Sequence, residues 1–249
     1  MMKDSEMVFG IRAVREVLEA GGDLDHIYIK RETNSALLAD LLRALGDRHV
    51  PIRRVPLEKL NRLTRKNHQG VIGIKAVTAY HRLEDLIPGI YERGEDPFLV
   101  LLDGITDVRN FGAIARTCEC AGVHALVVFE QNSVSISSDA LKTSAGALAR
   151  IPVCRSKSLE EALTFLKDSG IRLIGATEKA ETDIEATDYS GPIGVVMGSE
   201  EKGLSPFTLR HCDALARIPL YGAIGSLNVS VAAGILLYTA LRHRHTPTL

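Results

Sequence analysis

The chain has 249 residues, of which 45% are hydrophobic, which allows one large globular domain or two smaller ones. Its 30 Lys and Arg residues balance 31 Asp and Glu residues, so overall charge does not indicate a nucleic-acid-binding protein. The first ten residues lack a hydrophobic segment, and we expect no signal peptide.

Residues 1–77 predict a small N-terminal α/β domain. Helical spacing with turn-forming ends predicts two helices, the second with Ser35 as its N-cap, and short apolar runs predict strands. The predicted helices cover 11–20 and 35–45, and the predicted strands cover 27–29, 51–55 and 71–77.

Charge is uneven within this domain. Two acidic residues, Asp47 and Glu58, accompany nine basic residues, namely Arg43, Arg48, Arg53, Arg54, Lys59, Arg62, Arg65, Lys66 and Lys75. Such a run is usually a solvated surface, but the same residues could bind phosphates by releasing counterions. The run alone does not decide between these two interpretations.

Residues 78–96 show little periodicity and contain Pro88, Gly89 and Gly94, so we interpret them as a linker. Over 97–249, apolar strands alternate with helices, which predicts a parallel sheet covered on both faces. The predicted strands are 98–102, 125–129, 172–176 and 193–197, and the predicted helices are 112–121, 159–168 and 229–242.

Several common classes of protein are disfavoured. Residues 218–241 are uncharged, but Pro and Gly interrupt their first half, so we expect a buried helix and no membrane span. The GxGxxG, Walker A, GxSxG and HExxH motifs are all absent. Cys118, Cys120, Cys154 and Cys212 lack the spacing of a redox pair or a metal site, and we interpret them as buried free thiols in a reducing cytoplasm.

Three polar motifs stand out instead. The first, LDGITDVRNFGAIAR over 102–116, joins a strand to a helix that should begin near Asn110, a good N-cap. Arg116 lies inside this helix among small neighbours. We therefore expect it to be largely buried and to need an anionic partner such as phosphate.

The second motif, VVMGSEEKGLS over 195–205, runs from a buried strand into a glycine-bounded loop. Gly198 would let a cofactor approach the backbone. Glu200 places a carboxylate at the carboxyl end of a strand, where open α/β sheets bind ligands.

The third motif is RIPL at 217–220, followed by GSLNVSVAA at 225–233. Ser226 and Asn228 are each possible N-caps of the last helix. Together with Asn110 and Glu200, they could bring polar groups from three separate segments to one crevice.

In this order and at this spacing, the three motifs resemble those of the SpoU/TrmH family, in the SPOUT superfamily of knotted methyltransferases. FG at 9–10 and HQGV at 68–71 are similar to an RNA-binding extension found in the family. The resemblance covers nearly the whole chain, and it favours the phosphate-binding interpretation of the basic run.

The resemblance implies a C-terminal domain with a deep trefoil knot, and a homodimer with composite active sites. It implies methyl transfer from S-adenosylmethionine to the ribose 2′ oxygen of a guanosine in large-subunit ribosomal RNA, without a metal. It assigns cofactor contacts to the backbone at Gly198, Ile218 and Leu227.

The resemblance gives Arg116 the central catalytic role. Because a guanidinium group stays protonated at neutral pH, we predict that Arg116 binds a phosphate and stabilises the developing alkoxide instead of acting as a base. The side chains that would orient Arg116 and the ribose are Asn110, Glu200, Ser226 and Asn228. Glu200 is also an alternative proton acceptor.

Three alternatives stay open. The same chemistry could act on transfer RNA or on a resistance-associated ribosomal RNA site. The chain could instead be a non-catalytic RNA-binding protein with a degenerate knot domain, which would bind no S-adenosylmethionine. An α/β enzyme that uses another nucleotide is disfavoured by the missing phosphate-binding loops.

Overall fold

The structure is a computed structural model that describes residues 6–46, 48–130, 134 and 136–245. Two compact units make up the described chain. The N-terminal unit runs to Tyr80 and includes Ile136 and Ser137, and the C-terminal unit contains the other residues from His81 onward. The boundaries predicted at 77 and 96 stay predictions.

The N-terminal unit is an α/β fold. Its elements are β1 Met7–Phe9, α1 Ile11–Glu19, β2 Leu24–Lys30, α2 Ala36–Leu45, β3 Ile52–Val55, α3 Leu57–Leu63 and β4 Val71–Lys75. The strands lie in the order β1-β4-β2-β3, with β2 and β3 parallel and the other pairs antiparallel.

Alternation along β2 gives this unit a core on each face of its sheet. Ile27 and Ile29 pack with α1 and α2, whereas Tyr28 packs on the opposite face with Leu60 of α3. Ser35 caps α2 as predicted, because its Oγ accepts a hydrogen bond from the backbone N–H of Leu38 at 3.2 Å. The short elements β1 and α3 were not predicted. Helix α3 buries only Leu60 and lies within the basic run, so it shows no apolar periodicity.

The C-terminal unit is also α/β. Its strands, with β5 at the boundary of the two units, are β5 Tyr80–His81, β6 Phe98–Asp103, β7 Ala125–Phe129, β8 Val153–Ser156, β9 Arg172–Ala176, β10 Thr182–Asp183, β11 Ile193–Gly198 and β12 Ala214–Arg217. Its α-helices are α4 Leu83–Glu92, α5 Val108–Cys120, α6 Ser138–Thr143, α7 Leu159–Asp168, α8 Pro206–His211 and α9 Val229–His245.

The strands of the large sheet lie in the order β10-β12-β9-β11-β6-β7-β8-β5. Every pair from β10 to β8 is parallel, so the predicted parallel sheet is confirmed. Leu99 and Leu101 of β6 face the core that α4 and α7 cover, while the intervening residues of β6 are buried on the face that carries α5 and α9. The trefoil knot stays a prediction.

Part of the predicted linker is a helix. Leu83, Ile87 and Ile90 of α4 recur at helical spacing and are buried, although Pro88 lies inside the helix. Proline removes one intrahelical hydrogen bond, here to the carbonyl of Glu84 in the exposed first turn, where water can replace it. The prediction of an irregular segment over 78–96 was therefore wrong for 83–92, because Pro88 and Gly89 obscured the apolar spacing.

Candidate active site

The first motif connects β6 to α5. Asp107 caps α5, since its Oδ1 accepts hydrogen bonds from the backbone N–H groups of Arg109 and Asn110, both at 2.9 Å. The prediction that Asn110 is the N-cap was wrong. Because Asp107 satisfies the first turn, the side chain of Asn110 is free to make contacts outside the helix.

The second motif forms a tight turn after β11. Ser199 and Gly203 exchange backbone hydrogen bonds of 3.1 and 2.8 Å, which close the turn around Glu200. A Cβ atom on Gly198 would lie 2.2 Å from the carbonyl carbon of Gly203, so no side chain fits there. The turn itself therefore requires glycine at 198, and the predicted cofactor contact of Gly198 stays a prediction.

Asp103, at the end of β6, anchors this turn. Its Oδ2 accepts hydrogen bonds from the backbone N–H of Ser205 at 2.8 Å and from the Thr208 hydroxyl at 2.6 Å. Asp103 is a site residue that was not predicted, although its carboxylate at the end of a predicted strand was a visible signal. The contacts tie the loop that carries Glu200 to the strand that leads to Asn110.

The third motif ends at the start of α9. Asn228 caps this helix, because its Oδ1 accepts hydrogen bonds from the backbone N–H of Ser230 at 3.0 Å and from the Ser230 hydroxyl at 2.6 Å. These two donors fix the amide so that its Nδ2 group points away from the helix.

Asn110, Glu200 and Asn228 meet as predicted, and we call these three side chains the polar cluster. Oε1 of Glu200 accepts hydrogen bonds from Nδ2 of Asn110 at 2.8 Å and from Nδ2 of Asn228 at 2.6 Å. Nδ2 of Asn228 also donates to Oδ1 of Asn110 at 3.0 Å. Groups separated by as many as 118 positions thus hold one another in place.

Arg116 does not join the polar cluster. It is exposed, so the expectation of burial was wrong, and within the described part of the chain no ion pair or hydrogen bond of its guanidinium is found. The buried face of α5 comprises Phe111, Gly112, Ile114, Ala115 and Cys118. Six residues carry the helix about 240° round its axis, so Asn110 and Arg116 leave α5 in different directions. Ser226 is exposed and also lies outside the cluster.

The segment between β12 and α9 is unusually apolar for an exposed loop. Ile218 is half-buried, while Leu220, Tyr221, Ile224 and Leu227 are exposed. Apolar side chains that meet water are the type of surface that an adenine ring covers in a ligand site. Leu227 precedes Asn228 directly, so this surface continues into the polar cluster.

A cavity of about 800 Å³ borders the polar cluster on the side of β6, β7 and β8. Its lining includes Asn110 and Glu200, together with Phe129, Lys157 and Glu160 from the ends of β7 and β8. Arg116, Gly198, Ile218, Ser226, Leu227 and Asn228 are not among its lining residues. The polar cluster therefore borders this cavity through Asn110 and Glu200, and it adjoins the apolar loop in the chain through Asn228.

Within the described ranges, the thiols and possible metal ligands offer no competing site. Cys118 and Cys154 are buried as expected, Cys212 is partly buried, and Cys120 is exposed, contrary to expectation. Burial, with nearby Glu84 and Asp85, raises the pKa of the Cys154 thiol to about 12, which makes it unreactive. The described residues contain no His, Cys, Asp or Glu group suited to a metal and no helix that could cross a membrane.

The basic run of the N-terminal unit forms a charged surface on β3, α3 and the loop that follows. Its exposed cations for which the described residues provide no acidic partner include Arg53, Arg54, Lys59, Arg62 and Arg65. By contrast, Arg43 pairs with Asp40 and Arg48 with Asp23. Asp47 lies outside the described residues.

Comparison with known proteins matches two family models. The SpoU rRNA Methylase family model matches residues 97–238, and the model described as RNA 2'-O ribose methyltransferase substrate binding matches residues 7–77. The 23S rRNA (guanosine-2'-O-)-methyltransferase RlmB of Escherichia coli strain K12 is 34% identical over 243 residues, which cover 96% of this chain and 99% of that protein.

Two solved structures are similar in fold. The AdoMet-bound rRNA methyltransferase of Sinorhizobium meliloti has a TM-score of 0.62 and 26% identity, covering 95% of this chain and 87% of that chain. The SpoU methyltransferase AviRb of Streptomyces viridochromogenes, in complex with AdoMet, has a TM-score of 0.60 and 25% identity, covering 95% and 89%.

Proposed function

The chain belongs to the SpoU rRNA Methylase family, and from that premise we propose that it methylates the ribose 2′ oxygen of a guanosine in large-subunit ribosomal RNA. The methyl donor is S-adenosylmethionine. The observation that carries the proposal is the polar cluster, in which Asn110, Glu200 and Asn228 from three separate segments are hydrogen-bonded at the carboxyl end of the sheet.

The residues around β11, β12 and α9 fit the methyl donor. The apolar loop would cover its adenine ring, and the backbone at Gly198, Ile218 and Leu227 would hold it. When bound, S-adenosylmethionine supplies an electrophilic methyl group. Gly198 lies two residues before Glu200 and Leu227 lies one before Asn228, so these backbone contacts would align the donor with the polar cluster.

The polar cluster would position the ribose and take up its proton. Both amide donors bind Oε1 of Glu200, and among the described residues Oε2 accepts no hydrogen bond. We assign Oε2 as the acceptor for the 2′ hydroxyl. Fixed alignment of the reacting atoms can lower the barrier to such a transfer by roughly 7–11 kcal/mol. The hydrogen bonds of the polar cluster would hold the ribose in that alignment.

Arg116 would act through its charge. Its exposed guanidinium is available to bind a phosphate next to the target ribose and to stabilise the alkoxide that develops on the 2′ oxygen. Ser226, exposed just before Asn228, would contact the ribose or the phosphate.

The N-terminal unit would bind the same RNA. Cations without acidic partners bind phosphates by displacing counterions, which depends little on base sequence. Arg53 and Lys59 lie 5.9 and 5.5 Å from the ring centroid of Tyr28, which keeps them close together on one surface. This surface would capture the RNA, and the C-terminal unit would carry out the chemistry.

We further propose that the chain works in the cytoplasm as a homodimer. Val231, Ile235 and Tyr238 form an apolar stripe on α9 and are 51%, 39% and 52% exposed. A shallow hollow of about 530 Å³ lies beside Ile235 and Tyr238. A second copy would cover this stripe, so light scattering should find a dimer. A monomer at working concentration would contradict this assignment.

Mapping of ribose methylation tests the function directly. In a strain lacking the gene, one 2′-O-methylguanosine of the large-subunit ribosomal RNA should be missing, and the purified protein with S-adenosylmethionine should restore it. Loss of a methyl group from transfer RNA would instead support that alternative. Absence of S-adenosylmethionine binding in calorimetry would support a non-catalytic RNA-binding protein.

A further inference from the structure

The cavity beside the polar cluster has a lining that suits a neutral base better than a phosphate. Five carboxylate residues line it, namely Asp103, Asp107, Glu160, Glu200 and Glu201, against two lysines, Lys157 and Lys202. Such an excess of negative charge repels anions. Phe129 and Phe207 also line the cavity; Phe129 is buried in the core, and Phe207, which stacks on His211, is the more exposed of the two. Aromatic rings are the usual support for an unstacked nucleobase.

Three of the five carboxylates are already engaged. Asp103 holds the Ser205 loop, Asp107 caps α5, and Glu200 accepts the two amides of the polar cluster. Glu160 and Glu201 are exposed, and neither has a hydrogen bond or an ion pair with a described residue. These two carboxylates are therefore available to a ligand in the cavity.

These two carboxylates lie at different distances from the polar cluster. Glu201 is adjacent to Glu200 on the turn after β11, while Glu160 is in the first turn of α7, which follows β8. The sheet order places three strand intervals between β11 and β8, or about 14 Å at the usual strand spacing. Glu160 thus lies across the cavity from Glu201, and a base whose ribose is at the polar cluster would extend toward it.

We propose that this cavity receives the base of the target guanosine and that Glu160 reads its Watson–Crick edge. Guanine presents two adjacent donors there, N1–H and the 2-amino group, which match the two oxygens of one carboxylate. Adenine presents an acceptor at N1 and would be repelled. The proposal rests on the proposed function and extends it, because it names the residue that selects the nucleotide.

Inosine tests this contact, since it keeps N1–H but lacks the 2-amino group. The substrates are two synthetic RNAs that carry either guanosine or inosine at the target nucleotide, which the mapping of ribose methylation would identify. The wild-type protein should lose about tenfold in kcat/KM on the inosine RNA, as expected for one lost hydrogen bond to a charged group. Glu160→Gln should lose at least tenfold on guanosine and discriminate less than about threefold between the two RNAs.

Glu201→Gln is the matched control, because it neutralises another exposed carboxylate of the same cavity, on the side of the polar cluster. It should keep the tenfold preference for guanosine. All three proteins should bind S-adenosylmethionine equally in calorimetry, which verifies the fold of each variant.

The assignment of Glu160 is overturned if Glu160→Gln retains both its rate and its preference for guanosine, or if Glu201→Gln loses that preference instead. A wild-type protein that does not methylate the guanosine RNA would contradict the proposed function itself. The two failures are therefore distinguishable.

Discussion

The two units use polar side chains in opposite ways. In the N-terminal unit, cations such as Lys59, Arg62 and Arg65 are exposed and have no acidic partners among the described residues. In the C-terminal unit, Asn110, Glu200 and Asn228 satisfy one another at fixed distances. Unpaired charges attract a polyanion over several ångströms and tolerate variable contacts, whereas chemistry needs groups held in one geometry. This contrast supports the proposal that the N-terminal unit captures the RNA and the C-terminal unit carries out the chemistry.

The sharpest test of this separation is Arg116→Ala, because Arg116 is an exposed cation of the C-terminal unit with no partner among the described residues. If it stabilises the transition state, methyl transfer under single-turnover conditions should fall by about 10²–10³-fold or more. Calorimetry should show S-adenosylmethionine binding close to that of the wild type, and circular dichroism an unchanged fold. Full activity in this variant would refute the role assigned to Arg116.

The next largest effect concerns the polar cluster. Asn110→Ala and Glu200→Ala should each lower the single-turnover rate by on the order of 10²-fold, because each breaks the same hydrogen-bonded unit. The double variant should be little worse than either single variant, since groups that act together are not additive. Multiplicative losses would show that the two side chains act independently.

A smaller effect is expected in the N-terminal unit. The triple variant Lys59→Gln, Arg62→Gln and Arg65→Gln should raise KM for RNA on the order of tenfold and leave kcat unchanged. The slope of log affinity against log salt concentration should fall by about 2, if three contacts to single-stranded phosphates are lost.

The control for this variant is Arg15→Gln, which removes a cation that already pairs with Glu19 at 2.6 Å in the same unit. It should alter neither KM nor the salt slope. A fall in kcat for the triple variant would contradict the proposal that the N-terminal unit contributes to RNA binding and not to the chemical step.

The smallest expected effect concerns backbone strain next to the site. Ala145 has a φ of 51°, a left-handed conformation that costs an L-residue energy, and it follows Ser144, which packs close to Gly112 of α5. Ala145→Gly should therefore stabilise the protein by about 0.5–1 kcal/mol in urea denaturation.

Ala149→Gly, in the short helix that follows, should instead destabilise by about 0.5–1 kcal/mol, because no strain is relieved there. If Ala145→Gly raises stability but lowers the methylation rate, the strained turn contributes to the order of the catalytic unit.

Prediction from sequence worked where one signal dominated. The apolar runs of β6, β7, β9 and β11 and the capped, periodic helix α7 were predicted to within a residue. It failed for α4, where Pro88 masked the spacing, and for short elements such as β8 and β12, whose four residues carry little pattern. Short strands such as these are stabilised by pairing with neighbouring strands, and their own few residues do not reveal that pairing.

The candidate site also contains residues that were predicted from the sequence and residues that were not. The meeting of Asn110, Glu200 and Asn228 was predicted from the joint order of three motifs, because each motif ends at a sheet edge or a helix start. The supporting roles of Asp103 and Asp107 were missed, since any early polar residue can cap a helix and only geometry selects one. The burial of Arg116 was mispredicted because it depends on which face of α5 packs inward.

Asn228 has two functions that cannot be optimised separately. Its oxygen terminates a helix and its nitrogen binds the carboxylate of Glu200. Asp would preserve the first contact but would place a second negative charge beside Glu200. Ser could cap the helix, but it lacks the amide nitrogen that donates to both Asn110 and Glu200. A search for thermostable variants that exchanges one good helix cap for another would therefore lower activity at this position, because the cap can be replaced but the contact with Glu200 cannot.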